Sequence, residues 1–277
     1  MNKQIGPFTI DLDKTTMEYG TYYKALLDVP FASTKRYIRV WLPEEYDFNN
    51  TNKKFPVIYF SDGQNLFNEY LTAFGSWNLD KVAHNLISND ISFIAVGIDS
   101  PRDDKMRENE LSPFMPTITS FINDPKCGIF VKYIVDELKP LIDFLFNTKR
   151  EKASTAIAGS SMGGLMSFYA VASYPNIFGF AYVFSPAFLL YNEKTWKKIL
   201  DGLKLSKDED IKLFLYVGGL GFEEKFINRT VMTYKYLRRK SFDEKHLVLI
   251  VDSSMPHHEK AWNKYFASAT LFWLKGE

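Results

Sequence analysis

A chain of 277 residues, 46% of them hydrophobic, is long enough to bury a sizeable core and too apolar to be disordered. Its 34 basic residues balance 33 acidic ones to a net charge of +1, which removes the electrostatic case for nucleic acid or a membrane surface as partner. The single cysteine, Cys127, excludes an internal disulfide scaffold and reads as a small buried hydrophobe.

The opening stretch, MNKQIGPFTIDLDKTTMEYG, lacks the apolar core of a secretion signal, and no apolar run approaches the ~20 residues needed to cross a bilayer. A cytoplasmic location is therefore expected. Strands are predicted at 36–42 (RYIRVWL), 55–61 (FPVIYFS), 91–98 (ISFIAVGI), 154–159 (STAIAG), 180–184 (FAYVF), 211–217 (IKLFLYV) and 246–252 (HLVLIVD). From 55 onward most are nearly continuous apolar runs, which suits parallel strands covered on both faces. Helices are predicted at 77–89, 128–146, 162–174, 222–240 and 259–275. In the second of these, Phe130, Tyr133, Ile134, Leu138, Leu141, Ile142 and Leu145 form an apolar stripe at three- and four-residue spacing. This alternation predicts one α/β domain over 1–277: a mostly parallel sheet with helices on both faces and an antiparallel N-terminal edge. Two segments without a clear period, 99–127 and 185–210, are candidate pocket walls.

The string AIAGSSMGGL leaves a predicted strand and enters a predicted helix, so its serines stand at the carboxyl end of a strand, where α/β sheets bind ligands. Only Ser161 has glycine two positions to either side, Gly159 and Gly163, which fits G-x-S-x-G. A serine on that tight turn projects its hydroxyl out of the sheet, and a side chain at either glycine position would meet backbone. A hydroxyl needs a base beside it to act as a nucleophile. Of the four histidines, His84 precedes the serine and His246 opens a strand, whereas His257 and His258 follow the strand 246–252 at its carboxyl end. A serine, then an acid, then a histidine is the chain order of an α/β-hydrolase.

Several segments carry a family likeness in matching order: RYIRVWLPEEYD (36–47), FPVIYFSDGQNLFNEYLTAFGSWNLDK (55–81), RENELSP (107–113, with Leu111 where tyrosine is usual), GIFVKYIVDELKPLID (128–143), GSSMGGL (159–165) and HHEKAW (257–262). With these the chain resembles the putative-esterase family of α/β-hydrolases, a group containing esterase D, enterochelin esterases, and feruloyl and acetyl-xylan esterases. The resemblance covers nearly the whole chain and implies an α/β-hydrolase fold. It implies Ser161 as nucleophile and His257, rather than His258, as base, because Glu259 and Trp262 then complete H-x-E-x-x-W. It implies an oxyanion hole from the backbone N–H groups of Gln64 and Met162, and substrate contacts at Asn65, Trp77, Arg107 and Glu110.

The chain departs from the family at the acid. LYVGGLGFEEKF (215–226) has Gly221 at the usual offset, and carboxylates arrive two residues later. Glu223, Glu224 or no acid at all stay open; the resemblance favours Glu223, because family members place the acid about fourteen positions before a leucine late in the following helix that Leu237 resembles.

The resemblance thus implies a serine esterase working through an acyl-enzyme, without metal or organic cofactor. The expected substrates are carbohydrate-linked acetyl or hydroxycinnamoyl esters, small-molecule or oligosaccharide, or other small esters. The alternatives are a siderophore esterase, an acyltransferase, or a non-catalytic binding protein on a hydrolase fold. No sequence feature speaks to oligomeric state.

Overall fold

The computed structural model describes residues 4–10, 17–67, 75–119, 121–203 and 205–276. Residues 68–74, part of the family-like segment 55–81, lie outside the described residues, as do 11–16 of the N-terminal stretch.

Strands β1 (Gln4–Ile5), β2 (Phe8–Ile10), β3 (Thr21–Leu27) and β4 (Arg36–Leu42) form the antiparallel edge of one sheet. β5 (Val57–Ser61), β6 (Ile94–Ile98), β7 (Thr155–Ser160), β8 (Phe180–Phe184), β9 (Lys212–Gly218) and β10 (Leu247–Asp252) are parallel to one another. The order across the sheet is β1-β2-β3-β4-β6-β5-β7-β8-β9-β10, with β4 antiparallel to β6. The mostly parallel sheet with an antiparallel N-terminal edge is thus the architecture the alternating pattern predicts.

Every residue of β5, β6, β7 and β8 is buried, so both faces must be covered, and two apolar clusters cover them. On one face lie α1 (Leu79–Leu86) and α8 (Glu259–Leu274), which bring Leu79, Ala83, Trp262 and Phe266 against Ile58, Phe60 and Tyr182. The other face takes α2 (Asp104–Leu111), α3 (Cys127–Tyr133), α4 (Lys139–Leu145), α5 (Met162–Ser173), α6 (Glu193–Leu203) and α7 (Glu224–Arg239). Each fully buried Ile, Val, Leu or Phe on these faces contributes about 1.5–3 kcal/mol. A π turn, Ile134–Leu138, joins α3 to α4 just before Pro140, whose ring nitrogen cannot give the helix an N–H.

Two helices arise inside the segments without a clear period. In α6, Trp196, Ile199, Leu200 and Leu203 do form a short stripe, diluted by the long loop around it. α2 is polar over most of its length and starts where the Asp103 carboxylate accepts from Met106 N at 2.8 Å. Among the described residues no helix is long and apolar enough to cross a membrane.

Candidate active site

The turn from β7 into α5 is made by Ser161, held at φ 58° and ψ −116°. L-residues with a side chain rarely occupy that region, and the surroundings have to enforce it. They do so from two sides. Ser161 N donates to Phe184 O at 2.9 Å, and Ala187 N donates to Ser161 O at 3.0 Å, so the segment after β8 grips the bend. The flanking glycines are needed because they touch: a Cβ on Gly159 would lie 2.5 Å from the Gly163 carbonyl carbon, and one on Gly163 would lie 2.3 Å from Ser61 Oγ. Ser160 is still in the strand, opposite Phe184, and is buried.

That contact between Gly163 and Ser61 also sets the loop after β5 against the elbow. The loop turns at Asp62, which adopts the left-handed conformation, and runs into a tight helical turn over Gly63–Asn65. A Cβ on Gly63 would fall 2.7 Å from the Gly97 backbone, so only glycine passes there. Gln64 uses its side chain to hold the turn, Oε1 accepting from Ser100 N at 3.0 Å. Met162 opens α5, and the first N–H groups of a helix have no intrahelical acceptor. The neighbourhood therefore suits the collection of negative charge.

On the other side of the elbow, the loop after β9 delivers Glu223, which is fully buried. One carboxylate oxygen accepts from Gly218 N at 2.9 Å, and the other accepts a hydrogen bond from His257 Nδ1. Glu224 opens α7 and faces solvent. The His257 ring is walled by Phe226 (centroids 4.6 Å), Trp262 (5.2 Å, edge-on) and Phe222 (5.8 Å, edge-on). Trp262 donates its indole N–H to Ser185 Oγ at 2.8 Å, tying the histidine loop to the residue after Phe184, the same strand end that grips Ser161.

The other histidines have different partners. His258 caps α8, its Nδ1 accepting from Lys260 N at 3.1 Å. His246 pairs with Asp243 at the surface, and His84 stacks on Tyr19 and pairs with Glu44.

The four residues expected to touch substrate are distributed differently. Asn65 lies beside the histidine loop, its Nδ2 donating to Glu259 Oε1 at 3.3 Å. Trp77 is buried behind the site, stacked on Phe184 at 5.7 Å and tilted against Trp262 at 6.0 Å. Arg107 makes two hydrogen bonds to Asp62, at 2.6 and 2.8 Å, and braces the turn of the loop. The guanidinium more than offsets the burial of Asp62 and holds its carboxyl below the usual range. Glu110 is buried against Arg36 at 2.5 Å and supports α2 from within.

The residue that motif spacing alone leaves without a role is Glu259. It is 2% exposed, and its Oε2 has no hydrogen-bond partner among the described residues. Burial pushes its carboxyl up to about 7, with Asp62 adding to the rise and Arg107 opposing it. A raised folded-state value means that the folded chain keeps a proton that the unfolded chain releases. This contribution to stability is therefore full below about pH 4.5 and lost as pH rises through 7. Glu259→Gln, which keeps the acceptor for Asn65, should match the wild type near pH 5 and exceed it by on the order of 2–3 kcal/mol at pH 8. Urea unfolding at both pH values tests this, and parallel stability–pH curves would refute it.

A family model described as "Putative esterase" matches residues 32–270. The chain is similar to the "Uncharacterized protein YbbA" of Bacillus subtilis (strain 168), 25% identical over 258 residues, 87% of this chain and 93% of that one. Among solved structures it is similar to a ferulic acid esterase (TM-score 0.69, 17% identity, 93% of this chain and 99% of that chain). It is also similar to the enterobactin esterase FES of Shigella flexneri, solved in the presence of enterobactin (TM-score 0.70, 17% identity, 95% of this chain and 61% of that chain). At such identities the structural likeness speaks to the fold alone.

Proposed function

Since this chain belongs to the putative-esterase family, it is an esterase on an α/β-hydrolase fold, and we propose that Ser161, His257 and Glu223 carry its reaction. The observation that supports this most is the buried Glu223 carboxylate bonded to His257 Nδ1. With Nδ1–H committed to Glu223, the neutral ring offers Nε2 as the acceptor. Ser161 Oγ attacks the ester carbonyl carbon as its proton passes to Nε2. The carbonyl oxygen becomes an oxyanion at the Gln64 and Met162 N–H groups, each such donor contributing ~10²–10³ in rate. Collapse breaks the bond to the alcohol, which leaves with the proton from His257. Water then repeats the sequence on the acyl-enzyme and frees Ser161 and the acid.

For the substrate we propose a siderophore ester, on the likeness to enterobactin esterase. The second reading is a hydroxycinnamoyl ester, on the likeness to ferulic acid esterase. Ranking catecholate siderophore esters, methyl ferulate and acetylated xylo-oligosaccharides by kcat/KM decides between them. A fluorophosphonate probe should label the wild type once per chain and leave Ser161→Ala unlabelled. An unlabelled wild type beside a labelled control esterase would refute the serine mechanism.

A further inference from the structure

The loop that carries Glu223 also carries two large apolar side chains that the fold leaves uncovered: Leu220 is 54% exposed and Phe222 is 57% exposed. Single exposed apolar residues are ordinary on a protein surface. These two differ in being fixed and in where they stand. Leu220 N and Gly219 N both donate to Met255 O, at 3.0 and 3.1 Å, which locks this loop to the segment leading into His257. Gly221, at φ 65° with open space around it, makes the bend between the two side chains. The Phe222 ring meets His257 edge-on at 5.8 Å and Phe226 at 5.4 Å, while Lys225 Nζ lies 5.2 Å from its centroid. Phe222 is thus anchored on its inner side, beside the imidazole, with more than half its surface bare.

We propose that Leu220 and Phe222 form a specificity lip that receives an apolar, ring-bearing group on the alcohol side of the ester. The proposal rests on the serine-esterase reading, with His257 as the proton carrier. The side follows from the chemistry. The carbonyl oxygen must point to Gln64 and Met162, on the loop after β5 and at the start of α5. The leaving oxygen must lie at His257, because that ring returns its proton. Groups flanking His257 on its solvent side therefore meet the alcohol portion. The two extra residues before the acid, where the chain departs from its family's spacing, give the loop the length to carry this lip.

The test compares esters that share an acyl group with esters that share an alcohol. In Phe222→Ala, kcat/KM for 2-naphthyl acetate should fall about tenfold more than kcat/KM for methyl acetate, the loss of one buried ring contact. The ratio of methyl phenylacetate to methyl acetate should stay as in the wild type. Leu220→Ser, at a solvent-exposed position, should shift the first ratio in the same direction by a smaller factor. Equal losses for all esters would make Phe222 a prop for His257 and overturn the lip, as would unchanged ratios in both variants. A shift confined to the acyl series would also overturn it, by moving the contact to the acid side. An active wild type with unchanged ratios refutes the lip and leaves the esterase standing, whereas a wild type that hydrolyses no ester and takes no fluorophosphonate refutes both.

Discussion

Ser161→Ala is expected to lower kcat/KM for p-nitrophenyl acetate by about 10⁴-fold or more, because it removes one member of a unit whose parts do not act separately. Ser160→Ala should stay within a few-fold of the wild type. The two hydroxyls are one residue apart, yet the backbone separates their fates. Ser160 belongs to β7 and is buried opposite Phe184, whereas Ser161 is bent out of the strand at φ 58°. Steady-state kinetics with a thermal melt on each variant separates chemistry from folding. Comparable losses in both variants would place the elbow elsewhere.

Glu223→Gln should cost on the order of 10⁴ in kcat, and Glu224→Gln should be close to wild type. A glutamine at 223 keeps the shape of the side chain but can turn its amide toward His257 Nδ1. That favours the wrong tautomer, with Nε2 protonated and unable to accept from the serine. It also removes the negative charge that balances the imidazolium. Glu224 stands at the exposed first turn of α7, where a carboxylate gains only from the helix dipole. Wild-type rates for Glu223→Gln would mean that serine and histidine work as a dyad.

What the sequence made legible is what depends on near neighbours. Long apolar runs specify strands covered on both faces, and the glycines around Ser161 specify a bend. The residues alone leave His257 and His258 open; the family resemblance implies His257, with Glu259 and Trp262 at the family's spacing, and the structure adds that His258 is occupied in capping α8. What stayed hidden depends on contacts across the chain. Asp62 meets Arg107 from 45 residues away, and Asn65 meets Glu259 from 194. Composition cannot say whether a conspicuous tryptophan lines a cleft or fills a core, and Trp77 fills a core. Nor can spacing say that Glu110 is spent on Arg36. For the acid, the sequence leaves Glu223, Glu224 or none open, with Glu223 favoured by resemblance; adjacent positions at a helix start point in different directions, and folding turns Glu223 inward and Glu224 to solvent.

The pairing of Trp262 with His257 gives the protein an optical signal of its own. Trp262 lies edge-on to the imidazole, and Trp77 lies 6.0 Å behind it, close enough to pass excitation energy from one indole to the other. A protonated imidazole quenches a neighbouring indole far more than a neutral one. If His257 carries the proton as proposed, Trp262 emission is expected to dip while the imidazole is charged. Of the chain's 5 tryptophans, Trp41, Trp196 and Trp273 sit in β4, α6 and the last turn of α8, away from the His257 ring contacts. Stopped-flow fluorescence in the unlabelled protein, with natural esters that release no coloured product, is expected to show this change in the wild type and to lose it in His257→Ala.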